Sequence, residues 1–293
     1  MNIAIIASGG DGPGMNNCLY EMVKGLKGHN VTLFEYGYQG LIDDKVTAFS
    51  PAELNKVKNR GGTIIKSSRS AEFMTPKGKQ KAINTLKKHN IDVLIIMGGN
   101  GSLCGAKELI KNGIKIIFIP TTIDNDIKES DYCLGFDTAI HQATNFVLDV
   151  DFSMQSFDRI CIYEVMGRHC PDLALRVGKN TKACYVFTDK STKQQMLKAV
   201  KHAIKMGEFT PKIILQENTV DIGELKAYLI ENLKNRDIKS AIIGYYQRGG
   251  LATAKEIENS KSFAVEVIKC VKNKQFNTMV VKNKNTFKSI AIN

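Results

Sequence analysis

The sequence predicts a doubly wound α/β protein, organised as two α/β/α sandwich domains with mainly parallel sheets. Its 293 residues are enough for about two domains of ordinary size. Short β-branched runs alternate with stretches of helical periodicity, which is typical of parallel sheets. The runs are Ile3–Ile6, Val31–Phe34, Val93–Met97, Ile116–Ile119, Ile160–Val165 and Ile213–Leu215. They are apolar almost throughout, as in strands that helices cover on both faces.

The composition is that of an ordinary globular protein. Apolar residues make up 43% and charged residues 24% of the chain, which excludes a disordered or low-complexity protein. The formal net charge of +12 permits a polyanionic partner. However, the basic residues are mainly lysines dispersed over predicted helices, without the aromatic-interleaved patch or motif of a nucleic-acid-binding protein. We therefore expect no nucleic-acid partner and attribute the charge to solubility.

Targeting signals and structural cysteine patterns are not found in the sequence. The longest apolar runs fall far short of the ~20 residues that cross a bilayer. Residues 1–7 lead directly into a strand-like stretch, without the basic region and cleavage site of a secretory signal. The seven cysteines are scattered and never spaced as CxxC, which favours reduced thiols over disulfides or zinc. We expect a cytoplasmic protein with no membrane partner.

Two glycine-rich turns follow predicted strands. Residues 8–16, SGGDGPGMN, end the first strand before a helix that starts near Met15. Residues 98–102, GGNGS, follow another strand, and a helix is predicted from Ser102. Free amide groups at such turns bind anions, although the first turn alone is equally compatible with a tight connection. No GK[ST] follows, and Cys104 stands where GxGxxG needs its third glycine, which argues against a Walker A loop and an NAD site.

A third strand end carries two carboxylates. The segment PTTIDND, residues 120–126, places Asp124 and Asp126 two residues apart after an extended run. At that spacing both side chains can face one cleft. The pair is compatible with metal binding, with proton abstraction, or with an Asx-type turn or helix cap.

Arginine is rare and unevenly placed. Only seven of the 41 basic residues are arginine. Five of them lie in or beside glycine-containing or strand-terminal segments: Arg60, Arg69, Arg159, Arg168 and Arg248. A planar, bidentate donor suits phosphate better than lysine does, so the pattern predicts a multiply phosphorylated set of ligands. A surface ion pair remains the alternative for any single arginine.

The chain resembles the phosphofructokinase family, and within it the bacterial ATP-dependent type, from about residue 2 to residue 250. The resemblance rests on seven motifs in order: SGGDGPGMN, NRGGT, SSRSAEF, GGNGS, TIDND, EVMGR and QRGG. It implies a larger ATP-binding domain of residues 1–135 plus 247–293 and a smaller sugar-phosphate-binding domain of residues 136–246. The implied reaction is transfer of the γ-phosphate of ATP to the 1-hydroxyl of D-fructose 6-phosphate in glycolysis, with Mg²⁺.

The resemblance also implies roles for individual residues. Asp124 matches the base that takes the proton from the sugar hydroxyl, with Thr122, Arg69 and Arg168 at the transferred group. Asp126 and Asn100 match the positions that support the metal. The implied ATP contacts are Gly10, Tyr38, Arg69, Ser70, Gly99, Asn100, Gly101 and Ser102. The implied sugar-phosphate contacts are Thr122, Ile123, Asp124, Arg159, Met166, Gly167, Arg168, Glu217, Lys239, Tyr245 and Arg248.

A neighbouring subunit supplies part of the family's 6-phosphate clamp. Arg159 and Lys239 at the matching positions therefore imply a homo-oligomer, expected to be a tetramer. Within the clamp, Lys239 replaces an arginine and Tyr245 replaces a histidine. A point charge in place of a bidentate fork predicts weaker binding of fructose 6-phosphate, or a different sugar phosphate.

Two further departures, at Asn100 and Thr121, bear on the nucleotide and metal. Asn100 stands where ATP-dependent members usually have an aspartate, which predicts weaker Mg²⁺ binding. Gly101 leaves room for a nucleotide α-phosphate, whereas Thr121 is neither the glycine of ATP users nor the lysine of pyrophosphate users. Two alternatives therefore stay open: a related phosphotransferase with another donor or sugar phosphate, and a weakly active regulatory or ligand-binding homologue.

The allosteric nucleotide site of bacterial members is eroded in this sequence. The corresponding positions are Tyr20, Lys24, Pro51, Asp151, Cys184, Glu208 and Phe209. Only Lys24 keeps the charge. Tyrosine, proline and aspartate in place of arginines cannot hold an acidic effector, so we expect little activation by ADP or inhibition by phosphoenolpyruvate.

Overall fold

The computed structural model describes residues 1–292, which form two compact units. The first unit comprises Met1–Asp137 and the segment from Arg248 onward, and the second comprises Thr138–Gln247. Each unit is an α/β structure with a mainly parallel sheet. The predicted fold class is therefore confirmed.

The described residues form eleven strands and ten α-helices. The strands are β1 (Asn2–Ser8), β2 (Asn30–Phe34), β3 (Val46–Thr47), β4 (Val93–Gly98), β5 (Ile116–Pro120), β6 (Ile160–Val165), β7 (Tyr185–Phe187), β8 (Lys212–Gln216), β9 (Ile238–Ile242), β10 (Thr278–Asn283) and β11 (Thr286–Ala291). The helices are α1 (Met15–Gly25), α2 (Gly37–Ile42), α3 (Pro51–Val57), α4 (Pro76–Lys88), α5 (Asn100–Lys111), α6 (Phe136–Gln155), α7 (Asp172–Thr181), α8 (Lys193–Lys205), α9 (Ile222–Asn232) and α10 (Ala254–Lys272).

The sheet of the first unit has the strand order β11-β10-β5-β4-β1-β2-β3. The five central strands are parallel, and the two edge strands pair antiparallel with their neighbours. Every residue of β4 and β5 is buried. On one face the core includes residues of α2, α4 and α5, while α1 packs against α10.

The order of these strands fixes where a ligand can bind. After β1, the chain first adds β2 on one side of the sheet and later adds β4 and β5 on the other side. The order in which strands are added therefore reverses between β1 and β4. In doubly wound sheets, ligands bind at such a switch point, beyond the carboxyl ends of the strands. The register pairs Ser8 with Gly98 and Gly98 with Pro120. The three motif-bearing turns therefore leave the sheet side by side.

Local sequence signals explain several helix starts. Thr75 caps α4, where its hydroxyl accepts a hydrogen bond from the Gly78 amide at 3.0 Å and Pro76 occupies the first helical position. The helix predicted from Ser102 begins two residues earlier, at Asn100, because Gly99 already has the extended backbone of an N-cap residue.

The second unit contains a four-stranded parallel sheet with the order β7-β8-β6-β9. Its core is built from β6, β8 and β9 together with apolar residues of α8 and α9, such as Met196 and Leu225. The segments that follow β6, β8 and β9 leave at one edge of the sheet, and those that precede these strands lie at the opposite edge. In the described part of the chain, no helix is long and apolar enough to cross a membrane.

Candidate active site

The first two glycine-rich turns are joined at the sheet edge by one side chain. Ser102, in the first turn of α5, donates from its hydroxyl to the Ser8 carbonyl at 2.9 Å. Gly98 lies so close that a Cβ on it would be 2.6 Å from the Ser102 Cβ and 2.8 Å from the Ser8 oxygen. No side chain fits at position 98. Because position 98 is glycine, the backbones at the ends of β1 and β4 can lie in close contact.

The loop that carries Arg69 packs on the first turn. The Gly9 amide donates to the Ser68 carbonyl at 3.3 Å, and the Ser67 hydroxyl donates to the Gly9 carbonyl at 2.9 Å. Gly9 has a φ of 91°, a left-handed conformation that favours glycine. Gly10 and Arg69 are exposed. The structure thus brings together two of the predicted ATP contacts from separate parts of the sequence.

Tyr38 supports the second glycine-rich turn through a hydrogen bond and is itself held by ring stacking. Its hydroxyl donates to the Ser102 carbonyl at 2.6 Å, and its ring stacks on Phe73 with 4.0 Å between centroids. Burial, followed by the charge of Cys104, raises the pKa of Tyr38, so the hydroxyl stays protonated and acts as a donor. Only 5% of Tyr38 is exposed. The side chain therefore positions α5, and little of its surface is available to a ligand.

Ser70 is tied to the same region. Its hydroxyl donates to the Gln39 side chain at 2.7 Å and accepts from the Phe73 amide at 3.0 Å. The loop after Arg69 is fixed in this way next to Tyr38. Gly101, by contrast, is exposed, and a Cβ added there would meet nothing within 4 Å.

The carboxylate segment TIDND is bound to the second turn. The Thr121 amide donates to the Gly98 carbonyl at 2.8 Å. The Asn100 side-chain amide donates to the Asp126 carbonyl at 3.2 Å. A Cβ on Gly99 would lie 3.5 Å from the Thr122 Cβ. Residues expected to hold the nucleotide and residues expected to perform the chemistry are therefore in direct contact.

Asp124 has a fixed backbone and little solvent access. Its amide donates to the Thr122 hydroxyl at 3.1 Å, and the Thr122 amide donates to the Leu134 carbonyl at 3.0 Å. Only 7% of Asp124 is exposed. Ile123, between the two, is also buried. A carboxylate shielded from bulk water interacts strongly with nearby protons and charges.

Asp126 offers an oxygen for a ligand. One carboxylate oxygen, Oδ1, is enclosed and accepts no hydrogen bond within residues 1–292. Buried carboxylate oxygens nearly always have a partner, so such an oxygen calls for an explanation. A hard cation such as Mg²⁺ binds carboxylate oxygen, and the adjacent Asn100 amide also carries an oxygen ligand of this type. The residues present thus fit the metal position that the sequence predicts.

Glu256, which sequence reasoning did not single out, anchors the carboxylate segment from behind. It is fully buried at the start of α10, and its Oε1 accepts from the Tyr132 hydroxyl at 2.7 Å and the Gly135 amide at 2.9 Å. Between those donors lies Leu134, whose carbonyl accepts from Thr122. The pattern Thr253-x-x-Glu256 is a recognisable helix start, and Thr253 does cap α10. Nothing in that pattern reveals the buried contacts.

Arg248 and the first turn form an ion pair. The Arg248 guanidinium donates to the Asp11 carboxylate, and both residues belong to the first unit. Burial lowers the pKa of Arg248, but a guanidinium remains charged at neutral pH. The QRGG motif thereby places a cation beside SGGDGPGMN.

In the second unit, a carboxylate holds the EVMGR turn. Glu217 Oε1 accepts hydrogen bonds from the amides of Gly167 and Arg168 at 2.9 and 2.8 Å. The Gln216 side chain donates to the Arg168 carbonyl at 3.0 Å. Arg168 is exposed and has a φ of 49°. Met166, Gly167, Arg168 and Glu217 therefore form one cluster after β6 and β8, and Tyr245 lies beyond β9 in the short 3-10 helix Gly244–Arg248.

The other two predicted clamp residues lie at the opposite edge of this sheet. Arg159 precedes β6 and Lys239 lies near the start of β9, and both pair with Asp237, at 2.7 and 3.0 Å. The six residues of β6 separate Arg159 from the cluster around Arg168 by ~20 Å. Within one chain, the structure does not bring these two groups together.

The second-unit positions that resemble an allosteric site are internally neutralised. The Lys212 ammonium pairs with the Asp151 carboxylate at 3.1 Å, with 13% and 7% of the side chains exposed. The Gln155 amide donates to the same Asp151 oxygen at 2.8 Å. Burial, opposed by the charge of Lys212, raises the pKa of the nearby Glu208. Lys212, the cation that contacts Asp151, therefore already has a carboxylate partner.

Comparison with known proteins gives consistent results over most of the chain. The family model described as Phosphofructokinase matches residues 2–271. The ATP-dependent 6-phosphofructokinase of Vibrio cholerae is 36% identical over 256 residues, which cover 86% of this chain and 80% of that protein. The probable ATP-dependent 6-phosphofructokinase of Malacoplasma penetrans is 33% identical over 288 residues, covering 95% and 89%.

Solved structures show the same architecture. Phosphofructokinase from Saccharomyces cerevisiae superposes with a TM-score of 0.89 at 27% identity, covering 99% of this chain and 44% of the yeast chain. The present chain thus spans less than half the length of that relative. The pyrophosphate-dependent phosphofructokinase of Nitrosospira multiformis superposes with a TM-score of 0.90 at 16% identity, covering 99% and 83%, which demonstrates a common fold.

Proposed function

Because this chain belongs to the phosphofructokinase family, we propose that it is an ATP-dependent 6-phosphofructokinase. It transfers the γ-phosphoryl group of ATP to the 1-hydroxyl of D-fructose 6-phosphate and forms fructose 1,6-bisphosphate and ADP. The observation that carries the proposal is the packing of TIDND against GGNGS, with Asn100 bound to Asp126 and Thr121 bound to Gly98. This contact supports a base within TIDND that acts next to a phosphate-binding turn at GGNGS.

Asp124 is the general base in this mechanism. Its carboxylate accepts the proton of the sugar 1-hydroxyl while that oxygen attacks the γ-phosphorus. The bond between the γ-phosphorus and the β,γ-bridging oxygen breaks, and ADP leaves with the bonding electrons. The hydrogen bond between the Asp124 amide and Thr122 limits the positions that the carboxylate can take.

The remaining groups stabilise charge during transfer. Phosphoryl transfer needs donors for the phosphoryl oxygens more than covalent chemistry. The backbone amide of the exposed Gly10, the first turn of α5 and the Arg69 guanidinium are the proposed donors of the first unit, and the family resemblance assigns a further donor to Arg168. Met166, Gly167 and Glu217 are proposed to bind the sugar ring, and Arg248 its 6-phosphate.

Asp126 and Asn100 are the proposed protein ligands of Mg²⁺. A metal held there together with the nucleotide would supply positive charge that offsets the negative charge of the phosphates. Mg²⁺ is usually held by one or two carboxylates together with substrate phosphates. The enclosed Oδ1 of Asp126 supports this assignment.

Asn100→Asp is expected to strengthen the dependence on Mg²⁺. A second negative charge next to Asp126 should lower the half-saturating Mg²⁺ concentration by about 10-fold. Initial rates measured against free Mg²⁺ at fixed ATP provide the test. Asn84→Asp, which adds the same charge on the exposed surface of α4, is the matched control. Equal Mg²⁺ curves for Asn100→Asp and the unchanged protein would contradict the metal placement.

The activity is expected to be insensitive to acidic effectors. Tyr20, Pro51 and Asp151 stand where arginines would hold an acidic effector, and the Asp151 carboxylate is paired with Lys212. Saturation curves for fructose 6-phosphate, recorded with and without each effector, should superimpose. A several-fold shift of the half-saturation point with either effector would disprove this expectation.

We also propose a homo-oligomer, most simply a tetramer, that works in the cytoplasm with the rest of glycolysis. The position of Arg159 and Lys239 at the sheet edge opposite Arg168 supports a clamp that is shared between copies of the chain. Sedimentation velocity measures the subunit number directly. A monomer with full activity would contradict the shared clamp.

A coupled assay tests the proposed function. The purified protein is mixed with fructose 6-phosphate, Mg²⁺ and either ATP or pyrophosphate, and aldolase with its auxiliary enzymes reports fructose 1,6-bisphosphate. We expect turnover with ATP and little with pyrophosphate. Turnover with pyrophosphate alone would favour the other donor, and no turnover with either would favour a ligand-binding homologue.

A further inference from the structure

Asn125 separates the two proposed carboxylates, Asp124 and Asp126, and has a left-handed backbone. Its φ is 52°. Such a conformation is uncommon for a residue other than glycine, although asparagine tolerates it because its short side chain can hydrogen-bond locally. The alternation of an extended strand therefore does not relate the two carboxylates. The backbone of Asn125 sets the direction of one with respect to the other.

The side chain of Asn125 hydrogen-bonds a segment that lies six to eight residues further along the chain. Its Oδ1 accepts from the Cys133 amide at 2.8 Å, and its Nδ2 donates to the Asp131 carbonyl at 3.4 Å. Cys133 is fully buried. The shorter contact gives a buried amide an acceptor, so its loss costs more than the loss of a surface hydrogen bond. Both ends of the carboxamide are thus used, and they hold the left-handed turn at position 125.

The contacted segment, residues 130–134, is itself fixed to β10. The Asp131 amide donates to the Lys282 carbonyl at 2.9 Å, and the Lys282 amide donates to the Ser130 hydroxyl at 3.1 Å. Just beyond β10, the Lys284 amide donates to the Asp131 carboxylate at 2.7 Å. Together with the buried contacts to α10 described above, these bonds make the 130–134 segment a fixed reference for the loop that carries the carboxylates.

The same segment also holds the loop on the other side of Asp124. The Leu134 amide donates to the last carbonyl of β5 at 3.0 Å, in addition to the hydrogen bond that the Leu134 carbonyl accepts from Thr122. Asp124 is therefore bracketed: Thr122 ties the loop before it, and Asn125 ties the loop after it. Of these two ties, the second lies next to the proposed metal ligand, Asp126. Loss of the Asn125 contacts would leave the first tie and loosen the end that carries Asp126.

We propose that Asn125 is a positioning residue that holds Asp124 and Asp126 in place together, through its left-handed backbone and its hydrogen bonds to the 130–134 segment. The assignment of a base and a metal ligand to its neighbours rests on the proposed function. Asn125 acts through these neighbours and not through contact with substrate. Catalysis is sensitive to such positioning, since a displacement of about 1 Å can lower a rate by about 100-fold. The expected signature is a loss of kcat and of the response to Mg²⁺, with sugar binding retained.

Kinetics of Asn125→Gly test the assignment, because glycine removes the side chain and still accepts the left-handed backbone. We expect kcat to fall by roughly 10- to 100-fold and the half-saturating Mg²⁺ concentration to rise several-fold, while the KM for fructose 6-phosphate stays within about twofold. Asn90→Gly is the matched control, because Asn90 is also left-handed, with a φ of 51°, and is exposed before β4. An unchanged kcat in Asn125→Gly, or a KM that rises as much as kcat falls, would overturn the proposal.

Hydrogen exchange measures the hydrogen bond of Asn125 without any ligand. In Asn125→Gly, the Cys133 amide should exchange roughly 3- to 10-fold faster, the factor expected for one hydrogen bond. Asn125→Asp keeps the acceptor oxygen and should restore most of the protection, and Asn90→Gly should leave the exchange rate unchanged. Equal exchange at Cys133 in Asn125→Gly and the unchanged protein would refute the contact on which the proposal rests.

Nucleotide binding separates this inference from the proposed function. A non-hydrolysable ATP analogue is titrated calorimetrically into the protein with and without Mg²⁺. The gain in affinity that Mg²⁺ gives should be several-fold smaller in Asn125→Gly than in the unchanged protein, whether or not the protein turns over. Normal turnover of the unchanged protein, with an equal gain in both proteins, would refute the positioning role alone. A smaller gain in Asn125→Gly, without turnover in the unchanged protein, would refute the kinase and keep the positioning of Asp126.

Discussion

Replacing Asp124 by serine is expected to lower kcat by about 10²- to 10⁴-fold, which is the contribution of a positioned general base. The serine hydroxyl cannot hold the proton of the sugar 1-hydroxyl at neutral pH, so the attacking oxygen stays protonated. Binding of fructose 6-phosphate should remain near that of the unchanged protein, because the arginine contacts persist. Initial rates and calorimetric titrations on the same preparation measure both effects.

A matched control separates chemistry from folding in that experiment. Asp189 is exposed in the turn after β7, and Asp189→Ser should leave rate, binding and melting temperature unchanged. Asp124→Ser should melt close to the unchanged protein, since Asp124 lies in the loop after β5 and outside the regular elements. Full activity in Asp124→Ser would show that another group is the base.

Glu256→Ala should destabilise the first unit by about 2–6 kcal/mol. The change leaves two buried donors, the Tyr132 hydroxyl and the Gly135 amide, without this acceptor, and an unsatisfied buried donor costs about 1–3 kcal/mol. Burial, the largest cause of the raised pKa of Tyr132, persists in the variant, so the hydroxyl stays protonated. Urea unfolding, monitored separately for each unit, measures the difference in the free energy of unfolding between Glu256→Ala and the unchanged protein.

The conservative variant identifies the role of the carboxylate. Glu256→Gln keeps an acceptor oxygen at the same position and should recover most of the stability and of kcat. Glu256→Ala should also reduce kcat, because the segment around Leu134 that it anchors holds Thr122 in place. If Glu256→Ala is as stable as the unchanged protein, or Glu256→Gln is as unstable as Glu256→Ala, the proposed anchoring is wrong.

The strand-end motifs could be located from the sequence because their signals are local. The apolar strands β1, β4 and β5 and the turns that follow them needed only periodicity and glycine. The parallel order then dictated that these turns meet at one edge, as the pairing of Ser8 with Gly98 confirms. The placement of Arg159 and Arg168 at opposite ends of β6 could also be predicted, since one precedes this strand and the other follows it.

Contacts between distant segments could not be predicted in the same way. Glu256 reaches Tyr132 across 124 residues, and no local pattern encodes that meeting. The pairing of Gly61 with Gly250 is equally remote. Strand β11 lacks the continuous apolar pattern of the central strands, because it is an edge strand with no fully buried residue. Such elements are defined by the sheet that they join and only weakly by their own sequence.

The most direct measurement of the central claim is ³¹P NMR of the reaction mixture. The protein is incubated with ATP, Mg²⁺ and fructose 6-phosphate, and the spectrum identifies where the γ-phosphoryl group goes. We predict a new phosphomonoester signal, coupled to the protons on carbon 1 of the sugar, that grows in equal amount with ADP and is lost in Asp124→Ser. Formation of inorganic phosphate in step with ADP, with no second phosphomonoester on the sugar, would contradict the account.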